Sequence, residues 1–157
     1  MIKVGIGQDS HRFDFDDKNK KLILGGFTIP GEPPLQGNSD ADVILHSITN
    51  AISGVTGVNI LGKISDELCL EKGILDSSVY IKEAMKYLND LKIIHLSISV
   101  ECKRPKLAPY IEKIKETISE IIDIDKNSIG LTATTGEGLT GFGKGQGIQA
   151  ISIITVN

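Results

Sequence analysis

Ile94-His-Leu-Ser-Ile-Ser-Val-Glu101 alternates apolar and polar residues without interruption. Ile94, Leu96, Ile98 and Val100 fall on one side, His95, Ser97, Ser99 and Glu101 on the other, which predicts a strand with a single apolar face. Such a face needs a layer of helices, and the flanking sequence supplies three. Downstream, Pro109 opens a helix in which Ile111, Ile114, Ile118, Ile121 and Ile122 recur at three- and four-residue steps. Upstream, Asp76 or Ser77 caps a second, containing Val79, Ile81, Ala84, Met85 and Leu88. Further upstream, Ser39 or Asp40 caps a third, which runs through Asn50 to about Ser53 and stops at Gly54. Its Val43, Ile44, Leu45, Ile48, Ala51 and Ile52 cover a broad arc, as in a largely buried helix.

Ile2–Gln8, Ile129–Thr134 and Ile148–Val156 read as strands, and Leu22-Ile23-Leu24 as a short apolar run broken by Gly25-Gly26. Gly31–Gly37 is a loop on its Gly and Pro content. Strands alternating with helices predict an α/β chain of α+β-type two-layer form, with a mixed four- to five-stranded sheet and helices on one face, in a single domain spanning residues 1–157. In the last strand Ile151 and Ile153 point opposite to Ile148, Ala150 and Ile154, so both of its faces are apolar. Either another subunit covers the second face, or the strand is central and covered on both sides.

The chain has 157 residues, enough for a substantial core, and carries a net charge of −3. That balance argues against a nucleic-acid partner, which requires a basic face, but leaves room for a small anionic substrate held by a few cations and backbone N–H groups. Cys69 and Cys102 lie far apart without metal-ligand spacing and read as two reduced thiols. No stretch has the length and hydropathy of a secretory core or a membrane span, so the expectation is a cytoplasmic protein without a membrane partner.

Asp9-Ser10-His11 follows the first strand, and in extended backbone Asp9 and His11 project to the same side. His46 lies on the inner arc of the first helix, four residues after Asp42. One carboxylate and two imidazoles suit Zn²⁺ with a coordination position left for substrate, although His46 taken alone reads equally as a hydrogen-bonded core histidine. His95, between Ile94 and Leu96, reads as structural or solvent-facing. Thr132–Gly145 combines hydroxyls and closely approachable glycine backbone with Lys144, a set suited to phosphate oxygens. Within it Glu137 is placed to take a harder cation such as Mg²⁺. Lys103-Arg104-Pro105-Lys106 brings three cations to one loop, as a diphosphate site or as a solvated basic turn.

Gly7-Gln8-Asp9-Ser10-His11-Arg12-Phe13, Ser39-Asp40-Ala41-Asp42-Val43-Ile44-Leu45-His46, Arg104-Pro105-Lys106 and Ala133-Thr134-Thr135-Gly136-Glu137-Gly138-Leu139, in this order, resemble the motifs of the cyclodiphosphate synthases of non-mevalonate isoprenoid synthesis. Leu24-Gly25-Gly26 and Ile29-Pro30 resemble that family's opening hairpin. The resemblance implies a homotrimer with sheets packed around a threefold axis and active sites between subunits. It implies Asp9, His11 and His46 as ligands of one zinc per subunit, and Glu137 as ligand of Mg²⁺ or Mn²⁺ on the diphosphate. Cys102, Arg104, Pro105, Lys106, Leu107 and Ala108 would line a cytidine pocket. Thr134 would contact the diphosphate, and Thr135 and Asn38 would act on the transition state. Ser10, Ser39, Ile60, Leu61, Gly62, Phe142 and Lys144 complete the implied substrate contacts.

Several positions depart from the family pattern: Asn38 stands where most members have a histidine, Ile60 where they have an aspartate, and Lys144 and Gln146 where they have an arginine and a glutamate. The implied reaction is intramolecular phosphoryl transfer on a cytidine diphosphate with release of CMP. Two other readings stay open on the residues: a zinc-dependent phosphate-ester hydrolase with Asp40 or Asp42 as base, and a non-catalytic trimeric binder of cytidine nucleotides.

Overall fold

The computed structural model describes residues 1–157. The elements in order are β1 (Lys3–Arg12), β2 (Leu22–Leu24), β3 (Phe27–Ile29), α1 (Val43–Thr56), α2 (Lys63–Asp66), α3 (Ser77–Met85), β4 (Ile93–Glu101), α4 (Ile111–Ile122), β5 (Ile129–Thr134) and β6 (Gly147–Val156). A four-stranded mixed sheet runs β1-β6-β4-β5, with β4 and β5 parallel and the other two pairings antiparallel. The parallel pair requires a crossover, which α4 supplies. The Leu22-Ile23-Leu24 run does not join this sheet; β2 and β3 form a separate hairpin across Gly25-Gly26.

α1, α3 and α4 pack on one face of the sheet, over Ile148, Ala150 and Ile154 of β6, Leu96, Ile98 and Val100 of β4, and Ile129 and Leu131 of β5. β1 contributes Gly5 and Gly7 to this face, and a Cβ at either would overlap the backbone carbonyls of Ala51 or Ser47. These glycines let α1 lie directly against β1. A buried hydrogen bond between Ser47 Oγ and Ser152 Oγ (2.6 Å) ties the same helix to β6.

The helix read from Ser39 or Asp40 begins later. Asp42 is the N-cap, its side chain accepting from the N–H groups of Ile44 and Leu45, and Ala41 ahead of it is in left-handed backbone (φ 54°). Its end also moves: Gly54 stays helical and the chain turns out at Gly57 (φ 75°). Asp76 caps α3 as expected, and a 3-10 turn at Ala108–Tyr110 precedes α4. In β4 the alternation holds from Leu96 onward, but a register shift between Ile93 and His95 buries Ile93 and leaves Ile94 exposed. His95 is exposed, in keeping with its solvent-facing reading.

β6 is an inner strand whose second face is not covered within the chain. That face is apolar at its β1–β6 end, where Val4 and Ile6 are 62% and 65% exposed and Ile153, paired with Ile6, is 41% exposed.

Candidate metal centre and substrate cavities

β1 remains extended through Arg12, so Gly5, Gly7, Asp9 and His11 all face the helix layer. The close seating of α1 on the two glycines brings His46 over this row. Asp9 Oδ2 lies 3.0 Å from His46 Nδ1 and 3.1 Å from His11 Nε2. The ligand atoms of the three residues all fall within 4.8 Å of one another. One carboxylate oxygen and two imidazole nitrogens at this spacing could hold a metal ion. Burial works to raise the Asp9 carboxyl, but hydrogen bonds and charge from His11 and His46 outweigh it and hold the group at about 2. Burial likewise works to lower His46, and the hydrogen bond and charge of Asp9 carry it net upward.

A cavity of ≈ 210 Å³ opens on the triad, lined by Asp9, His11, Asn38, Ser39, His46, Leu61, Ser65, Asp66, Cys69 and Tyr80. A second, of ≈ 250 Å³, is formed by Cys102, Lys103, Pro105, Lys106, Leu107 and Ala108 together with Ala133, Thr134 and Thr135. Here the parallel pairing of β4 and β5 sets Glu101 opposite Thr134, so both chain exits open at one edge. The two cavities share no lining residue.

A family profile described as the YgbB family matches residues 2–157. The chain belongs to the YgbB family. It is 50% identical to the 2-C-methyl-D-erythritol 2,4-cyclodiphosphate synthase of Chlamydia muridarum, over 99% of this chain and 88% of that one. Among solved structures it superposes on the bifunctional IspDF of Campylobacter jejuni with a TM-score of 0.88 at 28% identity, covering 99% of this chain and 42% of that protein. It also superposes on an IspF of Plasmodium falciparum solved as a CDP complex, with a TM-score of 0.83 at 27% identity over 99% and 95% of the two chains.

In this YgbB-family chain most of the expected site residues gather in the two cavities, and a few do not. Ile60 is fully buried in the core and lines neither cavity, so the expected substrate contact at this position is corrected; Leu61 takes the cavity wall. Ser10 points to the open face of the sheet, where it lines a separate ≈ 280 Å³ cavity with Arg12, Phe142 and Gln146. Gly62 is exposed beyond the metal cavity. Arg104 is drawn outward by a 2.7 Å ion pair with Glu32. Glu137 and Lys144 sit on the exposed Gly-rich loop, Glu137 in left-handed backbone (φ 56°).

Asp42 and Asp40, the candidate bases of a hydrolase, are both committed. Asp42 is fully buried and accepts from the N–H groups of Gly25, Gly26, Ile44 and Leu45 at 2.7–3.1 Å. Asp40 accepts from both the N–H and the hydroxyl of Ser77. Ser65, Asp66, Cys69, Ser77 and Tyr80 were not legible as site residues. The only signal was helical spacing, which puts Ser77 and Tyr80 on the buried face of α3.

Proposed function

We propose that this protein is a 2-C-methyl-D-erythritol 2,4-cyclodiphosphate synthase and a phosphorus–oxygen lyase. It would convert 4-diphosphocytidyl-2-C-methyl-D-erythritol 2-phosphate to the cyclic diphosphate and CMP. The observation that carries the reading is the convergence of Asp9, His11 and His46 on one cavity, whose wall mixes polar residues such as Asn38, Ser39 and Ser65 with Leu61 and Tyr80. The names of its relatives support it, and the CDP complex of a structural neighbour supports a cytidine ligand for the Cys102–Ala108 cavity.

In the reaction an oxygen of the 2-phosphate attacks the β-phosphorus while the bond from that phosphorus to the bridging oxygen breaks, and CMP leaves with the electron pair. The nucleophile is already anionic, so no general base is required. The barrier lies in anion–anion repulsion and in bringing the chain ends together. Zinc held by Asp9, His11 and His46 would polarise a phosphoryl oxygen, and Mg²⁺ or Mn²⁺ at Glu137, the one carboxylate of the Gly-rich loop, would neutralise charge on the diphosphate. Lys106 would add a cation beside the cytidine pocket. Thr134 and Thr135 would donate hydroxyl hydrogen bonds to the diphosphate, and Asn38 an amide hydrogen bond across the metal cavity.

Because the cavities share no lining residue, a site holding both ends of the substrate would form between subunits. A homotrimer with the exposed Val4, Ile6 and Ile153 packed about its axis would cover the open sheet face. Ser10, Phe142 and Lys144 would then lie near that axis. A cytoplasmic site of action is proposed on the two free, buried thiols.

The test is incubation of the purified protein with the cytidine diphosphate substrate, followed by ³¹P NMR. CMP with the cyclic diphosphate is the expected outcome. Free phosphate without cyclisation would make it a hydrolase, and CMP binding without turnover a binder.

A further inference from the structure

Beyond the three ligand positions, His46 has a second partner whose chemistry decides how its ring is used. His46 Nε2 lies 2.8 Å from Ser77 Oγ, and Ser77 is fully buried at the first turn of α3. The Ser77 hydroxyl is itself hydrogen-bonded to Asp40 Oδ1, while the Ser77 N–H donates to Asp40 Oδ2 (2.9 Å). Asp40 is held in turn: its own N–H donates to Leu75 O (2.9 Å), and its Oδ1 accepts from Asp42 N (3.1 Å). In that bond the Ser77 hydroxyl is the donor, so its proton points to Asp40. Ser77 Oγ then offers His46 only lone pairs, and His46 Nε2 must carry a ring hydrogen. On the other side of the ring Nδ1 faces Asp9 Oδ2 at 3.0 Å and donates to it, so the hydrogen that a metal between Asp9, His11 and His46 would displace is the one on Nδ1, while Nε2 keeps its own against Ser77.

We propose that Asp40 and Ser77 are positioning residues that fix the tautomer and ring orientation of His46, so that Nδ1 is presented as a metal ligand. The proposal rests on the reading of Asp9, His11 and His46 as a metal site. It gives Asp40 a role other than that of a catalytic base, and ties the first turn of α3 to the metal centre. Outer partners of this kind change metal affinity by about 10- to 100-fold.

The experiment measures zinc affinity by competition with a chromophoric chelator, for wild type, Ser77→Ala, Asp40→Asn and the double variant, with Ser78→Ala as a control in the same helical turn. Each single change should weaken zinc binding by about 10- to 100-fold. The double variant should be about as weak as the weaker single, because the two groups act in series. Ser78→Ala should bind as wild type does.

A folded Ser77→Ala protein that binds zinc within about twofold of wild type would overturn the relay while leaving the metal site standing. Should Ser77→Ala fail to fold, Asp40→Asn decides the matter by the same criterion. Wild-type protein that binds no zinc would overturn both the relay and the site, whereas zinc loss in His46→Ala alone would retain the site and reject the relay.

Discussion

The cavity at the Asp9, His11 and His46 triad, the candidate metal cavity, and the Cys102–Ala108 cavity are assembled in different ways. In the first, Asp9 and His11 come from β1, His46 from α1 and Ser77 from α3, so every functional atom is a side chain held by packing between distant elements. In the second, one loop after β4 and the end of the adjacent parallel strand make the walls, with Lys103 and Lys106 as the charged side chains beside Thr134 and Thr135. A site of converging side chains is sensitive to the loss of a single ligand. A site of loop and strand end tolerates side-chain change and loses affinity in smaller steps.

The largest test of that contrast is His46→Ala, which should lower CMP release about a thousandfold with the fold retained. Release near the wild-type rate would show that the converging triad does no chemistry.

Next in size is the acid buried beneath the same helix. Burial first, and the Asp40 charge second, outweigh the backbone hydrogen bonds and lift Asp42 to about 6 from an ordinary 3.8. The folded chain therefore holds this proton more tightly than the unfolded one. The resulting stability is complete below the ordinary value and is lost as pH rises through about 6. Asp42→Asn does not titrate, so the stability of wild type relative to this variant should fall by about 2–3 kcal/mol from about pH 4 to pH 7. Urea melts across that range check it, and a flat difference would mean that the cap under the metal cavity stays ionised.

Lys106→Ala addresses the second cavity. It should raise KM about tenfold and change kcat by less than about threefold, the signature of lost ground-state binding. A fall in kcat of metal-site size would erase the contrast between the cavities.

Smallest is Arg104→Ala. Its ion pair with Glu32 is partly solvent-exposed, and its removal should cost less than about 1 kcal/mol in a thermal melt.

How far each part was legible follows from the range of the interactions that fix it. Apolar periodicity gave β4, β5, β6 and α4 to within a few residues, because a two-residue or 3.6-residue repeat is a local property. The same period places Ser10 on the face opposite Asp9, so its separation from the metal cavity was available in the sequence. The start of α1 was not. Asp42 is selected over Ser39 or Asp40 as the cap partly because the β2–β3 turn brings the Gly25 and Gly26 N–H groups to its carboxylate from 17 and 16 residues away. Nor was the swap of Ile93 for Ile94, which depends on a bulge in the β4–β6 pairing.

By itself, the order of residues determined the strand–helix alternation and the one-sided helix layer, and it made Asp9, His11 and His46 candidates, since extended backbone sends Asp9 and His11 the same way and a helical arc turns His46 inward; naming the three together as ligands came from the family resemblance. Only the folded chain decided that these three meet, that Ile60 enters the core, that Ser77 stands behind His46, and that the proposed substrate residues divide between two cavities. Those outcomes depend on which elements pack together and how closely, here through two glycines that let a helix rest on a strand. Such packing joins residues whose separation along the chain carries no periodic trace.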